Sequence, residues 1–199
     1  MSKVLIGKEG WLFLINDTNQ GLHNHITGKV GSFNIDQFIK QYQISCEYYK
    51  SKNIEFHMGF FPDKCVVYSR YLPSSYDNKE VKRPIIDLIK SKSNEFIDFN
   101  NVLIDDKYGL TFFSKDTHIN YIGGYLCYEY LCKEYLKCPY FKYGDIEWIE
   151  ESYKGDLTKP VNVGNNKNID TSSMKILKPN IKINMIIRNN GVSDRKSVV

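Results

Sequence analysis

Ile54-Glu55-Phe56-His57-Met58-Gly59-Phe60-Phe61, closed by Pro62-Asp63-Lys64, is the stretch on which the fold turns. Apolar and aromatic side chains dominate it, and a proline, which has no backbone N–H to give to a ladder, stops it. It reads as a strand over Ile54 to Phe61. Patterns of a longer period flank it. Asn34 can cap a helix running to about Lys52, with Ile35, Phe38, Ile39, Tyr42, Cys46 and Tyr49 at helical spacing. Past the break at Pro73-Ser74-Ser75, a second helix is expected over Lys79 to Lys92 and a strand over Glu95 to Phe99. Further out, Gly10 to Ile15 reads as a short strand and Asn16 to Ser32 as a polar loop. Leu110 to Phe113 reads as extended, and Tyr121 to Lys137 as a third helix that Pro139 ends. From Tyr140 to Asn180 the chain is polar and Asn-rich with little periodicity, and Ile183 to Ile187 is the last strand candidate. Strands alternating with helices imply an α/β layer structure with a mainly parallel sheet. Ligands in such sheets sit at the carboxyl ends of strands. That rule points at Pro62-Asp63-Lys64 and at the loop holding Asp116 and His118.

The bulk composition sets bounds around this reading. A chain of 199 residues with 42% hydrophobic and 25% charged residues has ordinary globular usage and enough length for one core. A mostly disordered chain, a collagen and a disulfide-dense toxin are excluded. No apolar run approaches a membrane span. Met1 to Gly10 lacks the architecture of a signal peptide, so the chain reads as cytoplasmic, or as periplasmic if an amino-terminal signal has been lost. Nine basic residues face four acidic ones from Glu151 to Val199, a local +5, so residues 1–150 carry −1 of the net +4. No basic stripe interleaved with aromatics accompanies it, and no nucleic-acid partner is expected. The five cysteines are odd in number, irregularly spaced and without a Cys-x-x-Cys, so they read as reduced core thiols and not as a zinc site.

Four histidines can be weighed individually. His23 and His25 lie in the polar loop without a neighbouring cysteine or carboxylate to complete a metal site. His57 sits mid-strand, where a packed, hydrogen-bonded ring is expected. His118 differs: Asp116 precedes it by two residues, and Asn120 follows at the start of an apolar helix. A carboxylate there can accept from one imidazole nitrogen, fix the tautomer and leave the other nitrogen as a base. Gly123-Gly124 would let that helix pack closely. The spacing alone equally suits a loop aspartate that caps the helix beside an incidental histidine. No nucleophile is assigned. Gly-Asp-Ser and Gly-x-Ser-x-Gly are absent, Ser193 follows a glycine turn with no helix after it, and Ser114 suits a loop or cap. Asp63 and Lys64 have two readings, a cap on the next turn or a pocket rim that contacts substrate. Trp11 reads as core.

Three segments, in order, resemble SGNH-hydrolase-like proteins of the alginate O-acetyltransferase type. They are Gly7-Lys8-Glu9-Gly10-Trp11-Leu12-Phe13-Leu14 with Asn16-Asp17-Thr18-Asn19, then Phe61-Pro62-Asp63-Lys64 leading to Tyr71-Leu72-Pro73, and Lys115-Asp116-Thr117-His118-Ile119-Asn120 with Gly123-Gly124. The resemblance implies an α/β, SGNH-hydrolase-like three-layer fold and acyl transfer to polysaccharide hydroxyls. His118 would be the general base and Asp116 its orienting partner. Lys64, Asp63 and Asn120 would contact a glycan acceptor, with no metal and no cofactor. A serine would carry the acyl group, and backbone amides would hold the oxyanion. The acyl donor is not identified. Two departures stand out. Ile119 occupies the place of a usual tryptophan, and the serine block is missing, with Lys196-Ser197-Val198-Val199 resembling the start of the strand that would lead to it. The chain is therefore expected to stop before its nucleophile, as a fragment, or to have diverged without one. Residues 1–139 are read as the core and residues 140–199 as a polar segment leading to the missing block. A non-catalytic glycan-binding module and an acetyl-glycan esterase are the alternatives.

Overall fold

The computed structural model of the chain describes residues 4–15, 18–158 and 172–178. It opens on a hairpin, β1 (Val4–Ile6) paired antiparallel with β2 (Leu12–Leu14). Glu9 (φ 54) and Gly10 (φ 75) take left-handed conformations in the turn between them. β1 had no alternating signal long enough to read. α1 (Gly21–Thr27) then replaces the expected loop over Asn16 to Ser32. α2 (Ile35–Lys50) matches its pattern, and Asn34 caps it by accepting from the Gln37 N–H at 3.0 Å.

The centre is a parallel pair, β3 (Gly59–Phe60) beside β4 (Ile97–Asp98). Both are shorter than expected: the amino-terminal half of the Ile54 to Phe61 stretch finds no ladder partner among the described residues. Side chains alternate across this pair. Phe60 and Phe96 join Tyr42 of α2 and Ile89 of α4 (Pro84–Lys92) in one cluster. Ile97 and Phe99 join Leu103 of α5 (Asn100–Ile104) and Cys127 of α6 (Tyr121–Tyr130) in the other. Helices thus cover both faces, which gives the helix–sheet–helix layering of an α/β fold. The other two strand pairs among the described residues are antiparallel.

α4 begins at Pro84 and not at Lys79, because the residue before a proline is held out of the α region; Arg83 sits at φ −124, ψ 60. α6 ends at Tyr130, and a π turn (Leu131–Leu136) carries the chain to Lys137 at φ 47. Gly123 packs as its sequence context requires: a Cβ there would lie 2.3 Å from the Thr111 carbonyl oxygen. The stretch from Tyr140 contains β5 (Glu147–Tyr153), which pairs antiparallel with β6 (Ser172–Lys178). Ile183 to Ile187, Ser193 and Lys196 to Val199 lie outside the described residues. Among the described residues no helix is long and apolar enough to cross a membrane.

Candidate active site

The loop between α5 and α6 holds the site. Tyr68, fully buried, sets its first leg: its hydroxyl accepts from the Thr111 N–H at 2.7 Å and donates to Asp106 Oδ1 at 2.9 Å. Phe112 then bridges to Ile119, and the chain between them folds back as a tight turn. Asp116 lies inside that turn and is 1% exposed. Its Oδ1 lies 2.6 Å from His118 Nδ1 and accepts from the His118 N–H at 3.0 Å. Its Oδ2 accepts from the Asp156 N–H at 2.8 Å. A carboxylate thus engaged can only accept, so Nδ1 donates and Nε2 is left with its lone pair. The His118 side chain is 75% exposed, and its Nε2 has no hydrogen-bond partner among the described residues.

Lys64 braces this loop from below. It is 5% exposed, and Nζ donates to the carbonyls of Phe113 (3.3 Å), Ser114 (3.2 Å) and Asp116 (2.6 Å). Burial pushes its pKa down to about 7, against the pull of the Asp116 and Asp156 carboxylates. Its ammonium is committed to main-chain carbonyls, while the residue also lines the pocket that Asp63 and Thr117 share. Asn120 serves the helix that follows. Its Oδ1 accepts from the Gly123 N–H at 2.9 Å to cap α6, and its Nδ2 donates to the Leu110 carbonyl at 2.5 Å.

Asp63 remains at the surface, 63% exposed, with Oδ2 at 2.7 Å from His25 Nε2. It does not cap α3 (Lys64–Val67) with its side chain. Asp63 and Thr117 line one pocket together with Phe13, Leu14 and Leu22. Trp11 is 4% exposed and stacks on Tyr71 at 4.4 Å, a core position. All five cysteines are free thiols, three of them buried.

Sequence reasoning missed Asp156. Its Oδ1 accepts from the Thr117 N–H at 2.9 Å and its Oδ2 from the Thr117 hydroxyl at 2.6 Å, while Oδ2 lies 3.8 Å from His118 Nδ1. Gly155 allows this approach, since a Cβ there would fall 1.9 Å from the Lys115 carbonyl oxygen. The only hint in the sequence was that glycine, nearly forty residues downstream. Ligand atoms of Asp116, His118 and Asp156 lie within 4.8 Å of one another, near enough for a cation. Both Asp116 oxygens also accept N–H groups, one of them from the His118 backbone.

Helices on both faces of a parallel pair are consistent with an incomplete α/β fold of the SGNH-hydrolase-like kind, and the Asp–His pair lies beside the loop at a strand's carboxyl end. Solved structures share this fold. The O-acetyltransferase domain of Pseudomonas putida AlgJ is 17% identical and matches 89% of this chain and 66% of its own, with a TM-score of 0.56. Bacillus cereus PatB1 carrying a sulfonyl adduct is 13% identical, with a TM-score of 0.51, over 90% of this chain and 57% of its own. The chain thus spans about two thirds of one relative and under three fifths of the other. The likeness is one of fold. No family model and no curated sequence matches the chain.

Proposed function

We propose that this chain carries the acid–base pair of an O-acyltransferase that moves acetyl groups to polysaccharide hydroxyls, such as those of a capsule or another surface glycan. The observation behind this is the contrast within one pair. Asp116 is buried and bound on both oxygens, while the ring it orients is exposed. In this reading His118 Nε2 removes the proton from a serine hydroxyl as that oxygen attacks the acyl carbonyl. The imidazolium returns the proton to the departing donor group. A glycan hydroxyl is then deprotonated by the same nitrogen and takes the acetyl group, and the imidazolium gives that proton to the departing serine oxygen, which regenerates both. Asp116 stabilises the imidazolium in both steps. Asp63, with one oxygen bound to His25, offers the other to a sugar hydroxyl in the pocket that Thr117 also lines.

A non-catalytic glycan-binding module is the second reading, with the pocket lined by Asp63, Thr117 and Phe13 as its sugar site. An assay of the gene product with an activated acetyl ester, with and without an oligosaccharide acceptor, separates the readings. Transfer that drops ~10²–10⁴-fold in His118→Ala supports the base. Full transfer in that variant excludes it. Acetate release that ignores the acceptor indicates an esterase, and oligosaccharide binding without turnover by a gene product that carries a Gly-Asp-Ser block indicates the binding module.

A further inference from the structure

Thr117 stands between two groups of different hydrogen-bonding character. Its hydroxyl oxygen lies 2.6 Å from Asp156 Oδ2 and 3.2 Å from His118 Nδ1. A carboxylate accepts and cannot donate, so the Thr117 proton points at Asp156. The lone pairs of Oγ1 are then turned toward His118. Nδ1 consequently faces acceptors: Asp116 Oδ1 at 2.6 Å, Thr117 Oγ1 at 3.2 Å and, further off, Asp156 Oδ2 at 3.8 Å. A ring nitrogen among acceptors keeps its proton, which forces the lone pair onto Nε2.

We propose that Asp156 is a positioning residue that reinforces the His118 tautomer favoured by Asp116, through the orientation of the Thr117 hydroxyl. The proposal rests on the reading of His118 as the base. Asp156 acts in two further ways. Its carboxylate caps the Thr117 N–H at 2.9 Å, and its own backbone N–H holds Asp116 Oδ2 at 2.8 Å. One residue thereby fixes both neighbours of the ring. The segment bearing Asp156 is held against the loop by the Leu157 N–H on the Lys115 carbonyl at 3.3 Å, where Gly155 leaves room.

The test is the tautomer ratio of the His118 ring, read from long-range ¹H–¹⁵N correlations of the neutral ring in the ¹⁵N-labelled chain. With four histidines, assignment needs only His118→Gln. The unaltered chain should hold the Nδ1–H form. Asp156→Asn places an amide donor against Oγ1, which lets the threonine proton turn to Nδ1. Thr117→Val removes the relay. Each should lower the ratio of Nδ1–H to Nε2–H by about tenfold, the worth of one hydrogen bond. Thr117→Ser, which keeps the hydroxyl, should restore it, and this rescue separates orientation from mere packing. Circular dichroism confirms that each variant is folded. An unchanged ratio in both Asp156→Asn and Thr117→Val overturns the role of Asp156. If Asp116→Asn still shifts the ratio, the Asp–His pairing stands without it. If Asp116→Asn also leaves the ratio unchanged, the pairing itself fails.

Discussion

An ammonium with three protons beneath three carbonyl oxygens is a closed arrangement, and at Lys64 it is built under the site. The three carbonyls belong to Phe113, Ser114 and Asp116, so the lysine holds the segment that carries the Asp–His pair. Lys64→Met keeps the stem among Trp11 and Phe13 but strips all three oxygens of their donor. Below about pH 7, where the ammonium persists, it should cost on the order of 3 kcal/mol in urea unfolding, with amide exchange across residues 113–118 accelerating first. The pH dependence follows from burial, which lowers the folded pKa to about 7 from 10.5. Between those values the unfolded chain holds a proton that the folded chain has lost, so stability rises with pH across that window. Lys64→Met should flatten the rise. A variant as stable as the parent, with the same slope, would show that the ammonium does not hold the loop.

At the level of elements, the parallel pair is short, and ion pairs add to the apolar clusters that link it to the helical layer. Asp98 of β4 accepts from Arg83 at 2.8 Å, at the head of α4, and from Lys90 at 2.7 Å, one side of the same helix. Burial works to raise its pKa, but these bonds outweigh burial and hold it down at about 2, against 3.8 ordinarily. A depressed carboxyl stabilises the fold above its unfolded value and loses that contribution as pH falls through the folded one. Asp98→Asn should therefore cost about 2 kcal/mol near neutrality. The gap from the parent should close toward pH 2 in acid unfolding curves, and a gap that persists there would rule out the ionised carboxylate as its source. Elements with local signals were readable in advance. α2 has its Asn34 cap and a regular apolar stripe, and α6 has Asn120 and the glycine that meets Thr111. Elements set by distant partners were not. The strand over Ile54 to Phe61 shrinks to what β4 pairs, and β5 and β6 form a backbone ladder in a stretch with no apolar period. Helix α1 hid in a polar segment, because only Leu22 of its residues is buried.

Over the whole molecule, the three segments that carry the family resemblance meet at one place. The Leu12 N–H donates to the Ser114 carbonyl at 2.9 Å, Lys64 reaches the same turn, and Trp11 stacks on Tyr71. Asp116 and His118 were legible because they are two residues apart and their hydrogen bond is local. Asp156 and the partnership of His25 with Asp63 were not, since only the fold brings residues some forty positions apart into contact. The second of these gives the molecule a pH dependence of its own. His25 of α1 has one ring nitrogen 2.6 Å from the Lys82 carbonyl and the other 2.7 Å from Asp63 Oδ2. Both partners only accept, so the ring that satisfies both is the imidazolium. Burial lowers its pKa, but the Asp63 hydrogen bond and charge, with the Lys82 carbonyl, outweigh that and leave it raised above 6.5. The stabilisation is full below 6.5, where the ring is charged in both states, and is lost as pH rises through the folded value. His25→Gln can donate to one acceptor but not to both. The stability gap between parent and His25→Gln should be widest in mild acid and shrink above neutrality, measured as thermal midpoints across a pH series. Gly21 and Leu22 of α1 line the same pocket as Asp63, so the shrinking gap should coincide with faster amide exchange in α1. A gap that stays constant or widens with pH would mean that the imidazolium does not tie α1 to the pocket.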